Sequence, residues 1–229
     1  MTTELVVLDM AGTTVADDGL VERAFTAAIA AAGVSEEDER YVGMLDYVRE
    51  TMGQSKITVF RALLGDEDLA QRANAGFEGS YGRLAEAGEC KPIPGAEETI
   101  RGLREQGVRV AFTTGFAPTT QRALLDALGW HDLADLALAP GDGVRGRPYP
   151  DLVLAAALKL QVTDVRTIAV VGDTPADVRT GLAAGAGIVA GVLTGASDRG
   201  ELEAARATHV LDSVSALPAV LDLEGATQS

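Results

Sequence analysis

The sequence has few of the residues that crosslink secreted proteins or form zinc sites. Its single cysteine, Cys90, cannot form an internal disulfide, and one cysteine with two histidines provides no zinc-binding cluster. No apolar run is long enough to cross a bilayer, and no N-terminal stretch combines a basic start, an apolar run and a cleavage site. We therefore expect a cytoplasmic protein in which any metal is held by oxygen ligands.

The chain is also short of positive charge. It has 34 acidic and 19 basic residues, and the formal net charge of -15 disfavours binding to nucleic acid or to an anionic membrane. Only three of the basic residues are lysines, namely Lys56, Lys91 and Lys159. A phosphate-bearing small molecule would therefore need positive charge concentrated at its binding site.

Short apolar runs that end in polar or glycine-containing loops are, by contrast, abundant. They alternate with helical patterns, which predicts an α/β fold with a parallel sheet and with ligands at the carboxyl ends of its strands. At 229 residues and 47% hydrophobic content, the chain can bury a substantial core. The predicted strands are 4–9, 108–112, 136–139, 168–171 and 188–193, and the predicted helices are 97–106, 119–128, 151–160, 175–184 and 198–207.

The stretch from about residue 21 to residue 89 breaks this alternation. It is rich in Ala, Glu and Arg, has helical periodicity and contains no convincing strand. The polar segment Ala16-Asp-Asp-Gly19 and the Pro/Gly-rich segment Cys90–Gly95 flank it and are suitable as linkers. The sequence therefore predicts a core domain of residues 1–16 and 91–229, with an all-helical cap of residues 17–90 inserted after the first strand.

Four polar motifs follow the predicted strands. A carboxylate at the end of a buried strand can serve as a nucleophile or a magnesium ligand, although a single one could equally cap a helix. The order of all four motifs strengthens the catalytic interpretation. They are Asp9 before Ala11-Gly12-Thr13-Thr14, then Thr113-Thr114-Gly115, then Gly146-Arg147-Pro148, and finally Gly172-Asp173-Thr174-Pro175-Ala176-Asp177.

In these motifs the sequence resembles the haloacid dehalogenase (HAD) superfamily, whose core is Rossmann-like. The resemblance implies that Asp9 is a nucleophile, that Thr113 binds a phosphoryl oxygen and that Arg147 neutralises it. These roles are chemically coherent, because a carboxylate approaches a phosphoryl dianion only when cations offset their repulsion. The resemblance also implies Mg²⁺ as cofactor, held by Asp9, the carbonyl of Ala11, Asp173 and Asp177.

One position departs from the common pattern of that superfamily. Most HAD phosphatases have a second aspartate two residues after the nucleophile, where it protonates the alkoxide leaving group. This chain has Ala11 there. Hydrolysis of ordinary phosphate esters and sugar phosphomutase activity are therefore disfavoured. Dehalogenases also lack this aspartate, but they do not need the paired acids Asp173 and Asp177.

The first motif and the Gly146–Pro150 segment resemble phosphonatases (phosphonoacetaldehyde hydrolases), which carry a cap lysine in a Met-Gly-x-x-Lys segment. This chain has Met52-Gly53-Gln54-Ser55-Lys56. The resemblance implies that Lys56 condenses with the substrate aldehyde, and that the iminium draws electrons from the carbon–phosphorus bond so that an enamine departs. A carbon leaving group of this kind does not require the acid that is missing at position 11.

A lysine on a cap helix is ordinarily a solvated surface residue. Here, however, a chain that uses arginine almost everywhere keeps a primary amine, which imine chemistry needs and guanidinium cannot replace. To act as a nucleophile Lys56 must be partly neutral, and burial near Arg147 or magnesium would lower its pKa. The chain departs from phosphonatases at two positions, with Val59 in place of a histidine and Met10 in place of an aromatic residue. The identity of the aldehyde substrate is therefore left open.

The predicted function is hydrolysis of the carbon–phosphorus bond of phosphonoacetaldehyde or a closely related 2-oxoalkylphosphonate. The alternatives are a magnesium-dependent phosphatase for a small metabolite and a non-catalytic regulator. The apolar segment 41–48 of the cap suggests a homodimer. Met52 either packs over the aldehyde or fills the cap interior. The other predicted substrate contacts are Ala11, Gly12, Gly53, Thr114 and Gly115.

Overall fold

A six-stranded sheet, in which each strand is parallel to its neighbours, forms the centre of the fold. The computed structural model describes residues 2–35, 37–141 and 143–223. In spatial order the strands are β5 (Leu136–Leu138), β4 (Arg109–Thr113), β1 (Leu5–Asp9), β6 (Ile168–Gly172), β7 (Ile188–Val192) and β8 (His209–Leu211).

Strand β1 occupies the position where the strand order reverses. It pairs with β4 on one side and with β6 on the other, and all five of its residues are buried. Its side chains alternate between two apolar layers, with Val6 and Leu8 in one and Leu5 and Val7 in the other. Ligands bind at such a switch point in open α/β sheets, so the carboxyl end of β1 is the expected place for a site.

In the described part of the chain, four helices form an insertion that follows β1. Two short strands, β2 (Val15–Ala16) and β3 (Lys91–Pro92), pair antiparallel, so the chain leaves and re-enters the core at one place. We call the four helices between these two strands the cap helices. They are α1 (Leu20–Ala31), α2 (Tyr41–Glu50), α3 (Lys56–Leu64) and α4 (Glu67–Glu86).

The helices of the core cover the sheet and continue the chain order. An amphipathic pattern explains their placement, since α5 buries Ile100 and Leu103 while its charged residues face outward. They are α5 (Ala96–Glu105), α6 (Pro118–Leu128), α7 (Asp151–Lys159), α8 (Pro175–Ala184) and α9 (Arg199–Ala204), with 3₁₀ turns at Val165–Thr167 and Val214–Val220.

A cluster of aromatic rings connects the cap helices to the core. Phe25 stacks on Phe60 with ring centroids 5.1 Å apart, and Phe77 lies 5.8 Å from Phe116, which follows β4. Tyr81 of α4 also packs on Phe116, at 4.5 Å. The chain has only five phenylalanines, and four of them belong to this cluster. The aromatic contact between cap and core therefore lies where α4 meets the loop after β4.

The structure confirms the predicted α/β fold with an inserted set of helices. All five predicted strands and all five predicted core helices are present, with ends shifted by a few residues. The sequence analysis missed β8 and the β2–β3 pair, which are only two or three residues long. In the part of the chain that the structure describes, no helix has both the length and the apolarity to span a membrane.

Candidate active site

Asp9 is the last residue of the central strand and lies almost completely buried, with 5% of its surface exposed. The loop that follows folds back over it, because the Thr14 hydroxyl donates a hydrogen bond of 3.0 Å to the Asp9 carbonyl. Burial raises the pKa of the Asp9 carboxyl to about 6, against the lowering effect of the neighbouring Arg147. The carboxylate is thus fixed at the point where the strands of the core converge.

Arg147 links Asp9 to a second acid. Its Nη2 donates to Asp9 Oδ1 at 2.5 Å, and its Nη1 donates to Oδ1 of Asp177. The guanidinium is buried, and its Nε has no hydrogen-bond partner among the described residues. Thr174 holds the other oxygen of Asp177 at 2.5 Å in a capping box at the start of α8. One fixed positive charge therefore spans two carboxylates.

Asp173 follows β6 and carries the charge that is least compensated. Its Oδ1 accepts from the Thr13 hydroxyl at 3.2 Å, and its Oδ2 accepts from the Ala196 amide at 2.7 Å. Burial and the charges of Asp9 and Asp177 raise its pKa well above the ordinary value. A β-carbon at Gly12 or at Gly195 would overlap this carboxylate, so two glycines allow the loops to close around it.

The three carboxylates fit a hard cation. One oxygen each from Asp9, Asp173 and Asp177 lie within 4.8 Å of one another, and all three residues are buried. An all-oxygen set suits Mg²⁺ or a similar divalent ion. Since Arg147 pairs with Asp9 and Asp177, Asp173 is the carboxylate that most needs an added positive charge. The donor set is therefore consistent with the predicted magnesium site.

Lys56 is the first residue of α3 and reaches the same place from the cap side. Its backbone amide donates to the carbonyl of Gly115 at 3.2 Å. This close approach needs glycine, since a β-carbon at Gly115 would lie 2.5 Å from the carbonyl oxygen of Gln54. The Lys56 side chain is buried, and its Nζ lies 5.8 Å from the ring centroids of both Phe77 and Phe116.

The ammonium of Lys56 forms no hydrogen bond or ion pair with any residue that the structure describes. Burial, helped by the positive charge of Arg147, lowers the pKa of Lys56 to about 8, while Asp17, Asp9 and Asp173 oppose this shift. The lowered pKa agrees with the sequence prediction. Roughly a tenth of Lys56 is therefore a neutral amine at pH 7, far more than for a lysine with the ordinary pKa.

A small cavity brings the two sides together. Its volume is about 40 Å³, room for roughly three water molecules. Asp9, Lys56, Arg147 and Asp173 all line it, while Asp177 lies behind Arg147. Of the predicted substrate contacts, Gly12 lies against Asp173 rather than on the wall. The predicted contacts that do line the cavity are Ala11, Met52, Gly53, Thr114 and Gly115.

The two neighbouring threonines occupy different positions. Thr113 pairs in register with Asp9 but is not among the described residues that line the cavity, whereas Thr114 is. Both hydroxyls are buried, and that of Thr114 accepts a hydrogen bond from the Phe116 amide. The sequence assigned phosphoryl binding to Thr113, and that role stays a prediction, whereas Thr114 is the threonine that lines the cavity. The direction in which each side chain points at a strand end cannot be read from residue types.

Sequence reasoning missed several residues of the cavity wall. Asp17 was interpreted as part of a linker, yet it lines the cavity beside Val21. Phe116 was not singled out, because nothing local indicates that it would pack beside Lys56. The Asp-Asp-Gly composition of the linker was the only available signal for Asp17, and that composition is equally typical of a turn.

The chain was compared with known proteins. The family model of haloacid dehalogenase-like hydrolases matches residues 3–185. A phosphonoacetaldehyde hydrolase from Bacillus cereus is 31% identical over 220 residues, which cover 89% of this chain and 80% of that protein.

Solved structures show the same architecture. A phosphonoacetaldehyde hydrolase-like protein from Oleispira antarctica superposes with a TM-score of 0.78 at 27% identity, over 96% of this chain and 91% of that one. A protein from Lactobacillus delbrueckii subsp. bulgaricus described as a phosphoglycolate phosphatase gives the same TM-score at 20% identity, over 96% and 99% of the two chains, and shows the fold alone. The chain belongs to the haloacid dehalogenase-like hydrolase family, and within it is similar to the phosphonoacetaldehyde hydrolases.

Proposed function

We propose that this hydrolase cleaves the carbon–phosphorus bond of phosphonoacetaldehyde or a closely related 2-oxoalkylphosphonate. The observation that carries the proposal is a buried, unpaired Lys56 with a lowered pKa in the same cavity as Asp9. A phosphatase would have no use for a neutral amine opposite its nucleophile. The similarity to phosphonoacetaldehyde hydrolases supports the same activity.

The reaction divides between the two ends of the cavity. At the cap end, the Lys56 amine condenses with the aldehyde and releases water, which leaves an iminium. At the core end, the Asp9 carboxylate attacks phosphorus, and the electrons of the carbon–phosphorus bond pass into the iminium to give an enamine. Protonation and hydrolysis then release the aldehyde from Lys56, and water hydrolyses the aspartyl phosphate on Asp9.

Arg147 is suited to bind the phosphoryl group, because its guanidinium already lies against the nucleophile. We assign the hydroxyl contact to Thr114, since this threonine lines the cavity. Ala11 also lines the cavity and offers no acid. That suits a departing enamine better than a departing alkoxide, which needs a proton.

Magnesium is part of the proposal. Asp9 and Asp173, with the carbonyl of Ala11, would hold the ion, and Asp177 would support it from behind Arg147. When bound, the ion supplies positive charge that offsets the repulsion between the Asp9 carboxylate and the phosphoryl oxygens. The high pKa of Asp173 without such a charge supports this assignment.

Borohydride trapping tests the proposal directly. The protein is mixed with phosphonoacetaldehyde and reduced, and the modified lysine is located by peptide mass mapping. We expect an adduct on Lys56, which Lys56→Arg should eliminate together with phosphate release, because guanidinium forms no iminium under these conditions. Lys159→Arg is the matched control, since Lys159 is exposed at the end of α7.

The same pair of variants decides between this activity and the alternatives. Cleavage of small phosphate esters that survives Lys56→Arg, with no adduct in the wild type, would favour a magnesium-dependent phosphatase. A protein with no turnover of either substrate class would instead be a regulator. We therefore propose a small phosphonate as the binding partner. A homodimer through the exposed face of α2 around Val42 stays a prediction.

A further inference from the structure

Among the described residues of the cavity wall, Asp17 is the one titratable residue that the proposed reaction does not use. The wall holds five such residues, and four of them have a part: the nucleophile Asp9, the amine Lys56, the phosphoryl ligand Arg147 and the metal ligand Asp173. Asp17 lies just after β2, where the chain enters the cap helices.

The position of Asp17 is held by the start of α1. Its Oδ1 accepts a hydrogen bond of 3.0 Å from the Val21 amide, while its Oδ2 accepts none from the described residues. One oxygen therefore fixes the carboxyl group, and the other is free to exchange a proton. An aspartate beside a helix start is often only a cap. Its presence on the wall of the cavity that also holds Lys56 and Asp9 is what separates it from an ordinary cap.

The charges of Asp17 and Lys56 also act on each other. Asp17 is the acid that most strongly opposes the lowering of the Lys56 pKa, ahead of Asp9 and Asp173. Burial raises the pKa of Asp17 itself, against the Val21 hydrogen bond and the charge of Lys56. The two pKa values thus shift toward each other, which lowers the free-energy cost of moving a proton from the ammonium to the carboxylate.

We propose that Asp17 is the acid–base residue of imine formation at Lys56, a role that rests on the function proposed above. The Asp17 carboxylate takes one proton from the Lys56 ammonium, which frees the nitrogen lone pair. The amine attacks the carbonyl carbon, and after a proton moves from nitrogen to oxygen the product is a neutral carbinolamine. Asp17 then protonates the hydroxyl, the carbon–oxygen bond breaks, and water leaves with its electron pair as the nitrogen lone pair forms the iminium.

These reaction steps balance in atoms and charge without another reactant. It begins with an ammonium, a carboxylate and an aldehyde, and it ends with an iminium, a carboxylate and one water molecule. The carboxylate that remains lies on the wall of the same cavity as the new cation. This chain needs such a group, because position 11 is alanine and position 59 is a valine buried in the apolar core of the cap.

The surroundings of Asp17 determine its pH dependence. Besides Lys56, the charged groups that act on it are Asp18 and Glu22, and it in turn raises the pKa values of Tyr81 and Cys90 on the neighbouring elements. Both of those groups stay neutral near pH 7, since burial raises the pKa of each. Among the cations of the described residues, Lys56 therefore has the largest effect on the pKa of Asp17.

The test is the rate of borohydride trapping with phosphonoacetaldehyde in Asp17→Asn, measured from pH 6 to 9. The amide oxygen can still accept from the Val21 amide, so the start of α1 is preserved. We expect trapping at pH 7 to fall by roughly 10²-fold or more, the usual contribution of a positioned acid–base group. The loss should shrink as pH rises above the Lys56 pKa of about 8, because solvent then deprotonates Lys56 without help from Asp17.

Asp18→Asn is the matched control, since Asp18 is exposed and adjacent in sequence. If Asp17→Asn does not fold, Asp17→Ser keeps a hydroxyl that can accept from Val21 and serves instead. Wild-type trapping together with equal trapping and the same pH profile in Asp17→Asn would overturn the role of Asp17 and leave the proposed function standing. Absence of any wild-type adduct would overturn the proposed function itself.

Discussion

The core and the cap each place one buried cation on the cavity, and the two have opposite surroundings. Arg147 of the core pairs with Asp9 and Asp177, so its charge is satisfied on two sides. Lys56 of the cap forms no ion pair with the described residues, and its ammonium lies 5.8 Å from the ring centroids of Phe77 and Phe116. Burial therefore lowers the pKa of Lys56 at the cap end, whereas the two ion pairs keep Arg147 charged at the core end.

The difference follows from the chemistry of the two side chains. A guanidinium stays protonated in proteins, so it is the better group where a permanent charge must face phosphoryl oxygens. An ammonium can lose its proton when it is buried without partners, and the neutral amine is what condenses with a carbonyl. The core end is thus suited to electrostatic stabilisation, and the cap end to covalent chemistry.

The largest expected effect is the loss of the phosphoryl-transfer chemistry at the core end alone. Asp9→Asn should lower phosphate release by roughly 10⁴-fold or more, because an amide cannot attack phosphorus. Imine formation at Lys56 should continue, so borohydride still traps the substrate within a few fold of the wild-type rate. Asp212→Asn, which changes an exposed aspartate outside the cavity wall, is the control. Loss of trapping together with phosphate release would show that the two ends do not act separately.

A smaller loss of activity is expected when the positive charge at position 147 is kept but the planar guanidinium is replaced. Arg147→Lys should lower kcat/KM for phosphate release by roughly 10²- to 10³-fold, because one ammonium cannot donate to Asp9 and Asp177 in the same geometry. Steady-state kinetics measure this change. Arg166→Lys alters an exposed arginine and should have little effect. Unchanged kinetics for Arg147→Lys would mean that charge alone suffices at the core end.

Adjacent threonines offer a third comparison at the core end. Thr114→Val should lower kcat/KM by roughly 10- to 100-fold through loss of a phosphoryl contact, and Thr114→Ser should restore most of it. Thr113→Val is the matched control, since Thr113 is buried beside Asp9 but off the described cavity wall. A greater loss at Thr113 than at Thr114 would return the phosphoryl contact to the residue that the sequence first suggested.

Most of the core could be predicted because its signals are local. Buried parallel strands are continuous apolar runs, and the acids Asp9 and Asp173 stand directly at their ends. The strand order places both at one edge of the sheet, so their meeting follows from topology. The β2–β3 pair escaped prediction because two-residue strands have no measurable periodicity and form only when two distant linkers meet.

The cap end was less predictable. The Met52–Lys56 segment identified the lysine, but the rings that surround its ammonium come from α4 and from the loop after β4. Nothing in the local sequence indicates that Phe77 and Phe116 would meet there. Asp17 was missed for a related reason, since its contact with the cavity depends on how the first cap helix leaves the core.

The smallest expected effect is a pH dependence of the free energy of unfolding, which tests the cap end without any substrate. Burial holds the pKa of Lys56 at about 8 in the folded protein, below its ordinary value of 10.5 in an unfolded chain. Because the folded state disfavours the ammonium, the protein is less stable at pH below 8, and this penalty is relieved as pH rises from 8 toward 10.5. Lys56→Met removes the titrating group and keeps an apolar side chain of similar length.

Denaturant unfolding of both proteins at pH 7 and pH 9.5 measures this penalty. Relative to Lys56→Met, the wild type should gain roughly 2 kcal/mol of unfolding free energy between the two pH values. Other groups that titrate in this range cancel in the difference. Lys159→Met alters an exposed lysine and should show no such pH dependence. A flat difference for Lys56→Met as well would mean that the Lys56 ammonium is solvated, and the contrast between the two buried cations would disappear.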